Sequence, residues 1–118
     1  MNDCRALVVD DHPTNRILAT ALLAKLGWTA SEAETGEQAL ALAATRPFRF
    51  VLLDISMPGA SGEDIYPELR ACLGTGARIV AYTAHAFPEE RQRFLNAGFD
   101  DILVKPISRQ QLQEVLPA

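Results

Sequence analysis

The sequence is short of several features that would fix its class at once. It has two cysteines, Cys4 and Cys72. Two thiols cannot build the disulfide framework of a small secreted domain, and these lack the spacing of a metal-binding pair. It has no basic excess: 11 Lys and Arg stand against 15 Asp and Glu, for a net charge of −4. That balance excludes the electrostatic footprint of a nucleic-acid-binding surface. No apolar run approaches the ~20 residues that span a bilayer. The N-terminus, "MNDCRALVVDD", lacks the architecture of a signal peptide. No linker, repeat or low-complexity stretch divides the 118 residues. The expectation is one domain over 1–118, cytoplasmic, contacting neither nucleic acid nor membrane.

What is present alternates. Apolar residues make up 48% of the chain, enough to bury a core. Five β-rich runs occur: "RALVV" (5–9), "WTASEA" (28–33), "FRFVLLD" (48–54), "ARIVAYT" (77–83) and "DDILV" (100–104). Helix-period segments follow them at 14–26, 35–45, 61–73, 88–98 and 108–116. In the first helix Ile17, Leu18, Ala21, Leu22 and Leu26 are expected on one apolar face. Thr35 with Gln38, and Ser108 with Gln111, have capping-box spacing. Gly27 and Gly98 mark helix stops. Pro67 removes a backbone donor inside the third helix and is expected to interrupt or kink it. Five βα units predict a parallel sheet covered on both faces. The most apolar strands, around 51–53 and 79–81, suit its centre.

Sites in open α/β sheets lie beyond the carboxyl ends of the strands. Here the first strand ends at Asp10 and Asp11, the third at Asp54, the fourth at Thr83 and the fifth at Lys105. A parallel sheet brings these ends to one edge. Three carboxylates cannot sit together ionised without counter-charge. Lys105 supplies one positive charge, and a hard divalent cation would supply the rest. An all-oxygen site favours Mg²⁺ over zinc. Removing Asp11 is then expected to weaken Mg²⁺ binding and, by relieving repulsion, to stabilise the fold. An aspartate can also act as a nucleophile toward phosphorus. Asp54, on the central strand, is best placed for that, with Thr83 and Lys105 near the oxygens of the group received.

Together "VVDD" (8–11), "LLDISMPGASG" (52–62), "AYTA" (81–84) and "GFDDILVKP" (98–106) resemble the receiver domain of two-component response regulators, across essentially the whole chain. The resemblance implies a flavodoxin-like (βα)5 three-layer α/β sandwich with a five-stranded parallel sheet of order 2-1-3-4-5. It implies that Asp54 accepts a phosphoryl group from a histidine kinase or histidine phosphotransfer domain. Mg²⁺ would be held by Asp11, Asp54 and the backbone carbonyl of Ser56, with Asp10 helping through water. Lys105 would contact the phosphoryl group, Thr83 would move toward it, and Pro106 would follow a cis peptide bond. A downstream protein would read the face of the fourth helix, fifth strand and fifth helix. Such a domain mainly catalyses its own phosphorylation and dephosphorylation. The aromatic residue usual three positions before the lysine is here Ile102, which puts the threonine–aromatic coupling in question. "VDDHPTNRILATALLAKLGW" resembles receivers fused to hybrid sensor kinases. This favours a piece of a longer histidine kinase, whose membrane anchor would lie elsewhere.

Plainer readings stand beside these. Asp10 and Asp11 could be a turn and helix cap. Asp54 and Thr83 could be plain strand-end residues, and Lys105 a solvated lysine. His12 and His85 read as surface imidazoles, although His85, two residues after Thr83, sits where family members tune phosphate lifetime. Met57-Pro58 reads as loop geometry with a packed methionine. Glu89, Glu90, Arg91 and Arg93 read as the wet face of the fourth helix. Among rival functions, a haloacid-dehalogenase-type phosphatase would need a second aspartate at Ser56 and room for a cap domain. A flavodoxin would need an uncharged phosphate-cradling loop where "DDHPTN" stands. A degenerate receiver that only docks to partners would not need all five polar groups.

Overall fold

The computed structural model describes residues 4–57, 61–84 and 86–117. Ten elements alternate as expected: β1 (Arg5–Val9), α1 (Pro13–Lys25), β2 (Thr29–Ala33), α2 (Gly36–Thr45), β3 (Phe50–Asp54), α3 (Gly62–Leu73), β4 (Arg78–Thr83), α4 (Pro88–Ala97), β5 (Asp101–Val104) and α5 (Arg109–Val115). The strands pair in parallel in the order β2-β1-β3-β4-β5. β1 is therefore followed in sequence by one neighbour and flanked on its other side by β3. A crevice opens where the winding reverses, beyond the carboxyl ends of β1 and β3.

Strand alternation divides the core in two. Val51, Leu53, Ile79 and Ala81 face α2, α3 and α4, joined by Ile65, Leu69, Phe94 and Ile102. Phe50, Leu52, Val80 and Tyr82 face α1 and α5, joined by Ala19, Leu23 and Leu112. The central strands contribute residues that are wholly excluded from solvent. That is why their sequence is continuously apolar rather than alternating.

Two expectations about helices need correction. α1 does not bury Ile17, Leu18 and Ala21. Its buried residues are Arg16, Ala19 and Leu23, while Ile17 is 65% exposed. The helix is rotated so that the Arg16 guanidinium reaches the main-chain carbonyl of Asp10 and the small Ala19 meets the sheet. α3 runs unbroken from Gly62 to Leu73 with Pro67 inside it. The proline, sixth of the twelve helical residues, forfeits one interior backbone bond, and its ring lies on the exposed side. The capping boxes form at Ser108 with Gln111 and at Ser61 with Asp64. At Thr35 only half of the expected box forms: its hydroxyl accepts from the Gln38 amide, while the Gln38 side chain accepts from the Glu34 amide rather than that of Thr35. Met57 is buried, whereas Pro58 and His85 lie outside the described residues. Among those residues no helix is long and apolar enough to cross a membrane.

Candidate functional site

Each polar group at the crevice is fixed by the backbone that delivers it. Asp10 follows β1 directly. Its amide donates to Ala33 O at 3.1 Å, and its carbonyl accepts from Arg16 Nη1 at 2.8 Å. Arg16 is itself held by Glu32 at 3.1 Å and Glu34 at 3.2 Å. The Asp10 main chain is thus clamped between the β2 edge and α1. Its side chain, 0% exposed, accepts from the His12 amide at Oδ1, 2.9 Å away. Its other oxygen, Oδ2, is buried without a hydrogen bond among the described residues.

Asp54 closes β3 and is 1% exposed. The Ser56 amide donates to its Oδ1 at 3.0 Å, which turns the carboxylate back over the strand end. Gly62 packs against the same strand end. A Cβ there would lie 2.5 Å from Asp54 O, so only glycine lets α3 start this close to the aspartate. Thr83 ends β4, buried, and its carbonyl accepts from the Lys105 amide at 2.8 Å. The Lys105–Pro106 peptide is cis, as the family resemblance implies.

These strand ends bring the predicted groups together. Lys105 Nζ lies 3.1 Å from Asp54 Oδ1 and 3.5 Å from Asp10 Oδ2. Asp11 stands at the mouth, its side chain 26% exposed, with His12 Nδ1 3.0 Å from its Oδ1. Ligand atoms of Asp10, Asp11 and His12 all fall within 4.8 Å of one another. His12 is exposed, as expected, yet its imidazole engages the acid pair, so the mouth is not purely carboxylate. Thr83 and Ser56 occupy the predicted strand-end and loop positions around this group.

The electrostatics divide the three acids. Burial pushes the Asp54 carboxyl above its ordinary value, and the Asp10 charge pushes the same way; the Ser56 amide and Lys105 oppose them. Asp11 goes the other way. Burial raises it, but the His12 hydrogen bond and charge, its own amide and the Asp54 side chain together hold it below the ordinary range. Burial, with the Asp10 charge adding to it, therefore weighs on Asp54, while His12 relieves Asp11. The lowered Asp11 carboxyl runs against, without deciding, the expected gain in stability on removing Asp11. The donor set suits a hard cation: carboxylates dominate, and a buried oxygen of Asp10 lacks a hydrogen bond.

Three contributors escaped the sequence reading. Arg16 carried a signal, as the one charge at the core spacing 16, 19, 23. Gly62 lay inside a quoted motif without a reason attached. Tyr82, immediately before Thr83, read as ordinary strand.

A doubly wound parallel sheet that gathers aspartates and a lysine at its switch point narrows the chain to the α/β domains whose chemistry lies beyond the carboxyl ends of the strands. Comparison with known proteins narrows this class. The chain matches the response regulator receiver domain over residues 6–117, and it belongs to that family, the receiver domains of two-component systems. Among curated proteins it is 40% identical to the sensor histidine kinase GacS of Pseudomonas protegens, over 95% of this chain and 13% of that one. It is 39% identical to the virulence sensor protein BvgS of Bordetella pertussis, over 95% of this chain and 10% of that one. The chain thus spans roughly a tenth of the length of these relatives. Among solved structures, the chemotaxis protein CheY4 of Vibrio cholerae superposes with a TM-score of 0.88 at 27% identity, covering 98% of this chain and 100% of that one. A receiver domain from a sensor histidine kinase of Pseudomonas aeruginosa gives 0.82 at 33% identity, covering 97% and 94%. That structure holds a magnesium ion in its active-site cleft.

Proposed function

We propose that residues 1–118 form one receiver domain that takes a phosphoryl group onto Asp54 in a phosphorelay. The observation that carries this is the Lys105 ammonium held between two buried aspartates, 3.1 Å from Asp54 and 3.5 Å from Asp10. A carboxylate raised in pKa by burial and by its neighbour is a poor resident charge but a good acceptor once its surroundings are neutralised. Transfer breaks the P–N bond of a phosphohistidine and forms a P–O bond to an Asp54 carboxylate oxygen. The imidazole leaves and takes up a proton. In-line approach and charge neutralisation supply most of the catalysis.

Asp11, Asp54 and the Ser56 carbonyl would hold Mg²⁺, with Asp10 reaching it through water. The ion would supply positive charge against the phosphoryl oxygens. Lys105 would contact one of those oxygens, and Thr83 would close on another once transfer is complete. The donor would be a histidine kinase or histidine phosphotransfer domain, in keeping with relatives that are sensor histidine kinases. The domain would act in the cytoplasm, with any anchor in the inner membrane belonging to the parent protein. A downstream partner would read α4, β5 and α5, where Phe87 and Leu95 stand 61% and 46% exposed. The net charge of −4 argues against nucleic acid as that partner.

Incubation with a small-molecule acyl phosphate and Mg²⁺, followed by intact-mass analysis, tests the reading. One phosphoryl group is expected on the wild type and none on Asp54→Asn. Equal modification of both would reject Asp54 as the acceptor. An unmodified wild type that still binds a kinase partner would favour a docking-only receiver.

A further inference from the structure

Tyr82 has no part in the mechanism above. It heads the fully buried side chains by size and is 1% exposed. It stands opposite Asp54 in the β3–β4 register, which puts both side chains on the α1/α5 face of the sheet. Its hydroxyl is buried beside the Ile107 main chain and makes no well-formed hydrogen bond among the described residues. A leucine in this setting, among Val80, Leu103, Ile107 and Leu112, would leave no polar atom stranded. What the phenol offers that leucine lacks is the negative face of an aromatic ring. Lys105 Nζ lies 4.9 Å from the centre of that ring, within cation–π range.

Among the described residues the ammonium therefore has Asp54, Asp10 and the Tyr82 ring as neighbours. Lysine carries its charge on a flexible four-carbon stem, and 19% of this side chain is exposed. Two carboxylates pull on the ammonium from one side, and the ring closes another. We propose that Tyr82 is a positioning residue whose ring face seats the Lys105 ammonium and keeps it aimed at the oxygens of the group received by Asp54. The inference rests on the proposed contact between Lys105 and that group. Tyr82 is not a relocated version of the aromatic missing at Ile102. Ile102 packs in the core under α2, α3 and α4, whereas Tyr82 packs in the core under α1 and α5.

The test compares Tyr82→Phe, which keeps the ring, with Tyr82→Leu, which removes it. Three readouts are the phosphorylation rate with an acyl phosphate, the affinity for beryllofluoride in Mg²⁺, and the affinity for Mg²⁺ alone. Tyr82→Phe is expected within about twofold of wild type in all three. Tyr82→Leu is expected to lose roughly three- to tenfold in the first two while Mg²⁺ affinity stays within about twofold. Added to Lys105→Met, Tyr82→Leu should cause no further loss. Tyr82→Met carries the same expectations should the leucine variant not fold. Wild-type rates in both ring-less variants, a loss in Tyr82→Phe equal to theirs, or a full additional loss in the Lys105→Met background would each overturn the role of Tyr82. A wild type that the donor does not modify would instead overturn the phosphoacceptor reading itself.

Discussion

The two ends of the sheet are built from the same residue types and behave in opposite ways. At the amino ends of β4 and β5, charges and polar groups are matched. Arg70 donates to Tyr66 Oη at 3.1 Å, Ala77 O at 2.6 Å and Asp100 Oδ2 at 2.7 Å. Asp100 also accepts from the Ile79 amide at 2.8 Å, and Tyr66 donates to Gly98 O at 2.6 Å. Burial pulls Arg70 down, but Tyr66 and Asp100 outweigh it and leave its pKa raised. At the carboxyl ends, Lys105 is shared between Asp54 and Asp10, an Asp10 oxygen has no hydrogen bond among the described residues, and Asp54 resists ionisation. One edge is closed on itself. The other is incomplete, as expected of an edge that must accept something from outside.

That contrast can be broken by substitution. The largest effect belongs to the closed edge. Arg70→Ala should lower unfolding free energy by about 2–3 kcal/mol and leave Mg²⁺ affinity unchanged, as urea melts and metal titrations would check. A comparable effect at the open edge should come from the backbone. Gly62→Ala forces a Cβ against the Asp54 carbonyl and should destabilise by about 2 kcal/mol, with slowed phosphorylation as the second readout.

Asp54→Asn should act in the opposite direction, raising stability at neutral pH by about 1 kcal/mol. A folded-state pKa above the ordinary 3.8 means that the folded chain holds the proton more tightly than the unfolded one. Wild-type stability then falls as pH rises from about 3.8 through that higher folded value, and stays reduced above it. The advantage of the variant should therefore appear across this window and vanish toward its acid end. Denaturant melts at several pH values would show it. A variant less stable than wild type at neutral pH would contradict the strain placed on Asp54. The smallest effect is expected away from both edges. Arg93 pairs with Glu63 at 3.1 Å on the surface, and Arg93→Ala should change stability by less than about 0.5 kcal/mol.

Much of this architecture was legible in the sequence, for a physical reason. Strands buried on both faces must be apolar throughout, so the residue that ends each run, Asp10, Asp54, Thr83 or Lys105, marks a carboxyl edge without further information. The cis bond before Pro106 and the strand order followed from the family resemblance. The face of α1 did not follow. Ile17 and Leu18 outrank Ala19 in hydrophobicity, and the pattern hid an arginine that is buried because it holds the Asp10 carbonyl. Pro67 misled because a helix capped at both ends tolerates one lost interior donor when the ring faces solvent. Tyr82 was invisible because a strand pattern does not record which neighbour sits over a ring. The lowered pKa of Asp11 was not legible because it depends on the His12 imidazole beside it, which only the folded geometry supplies.

The central claim is tested most directly by titrating Mg²⁺ into the wild type and Asp11→Asn while following the thermal unfolding midpoint. A saturating rise in the wild type that is largely lost in the variant is predicted, because ligand binding to the folded state raises its stability by mass action. An equal rise in both, or none in the wild type, would contradict an acidic edge completed by a bound cation.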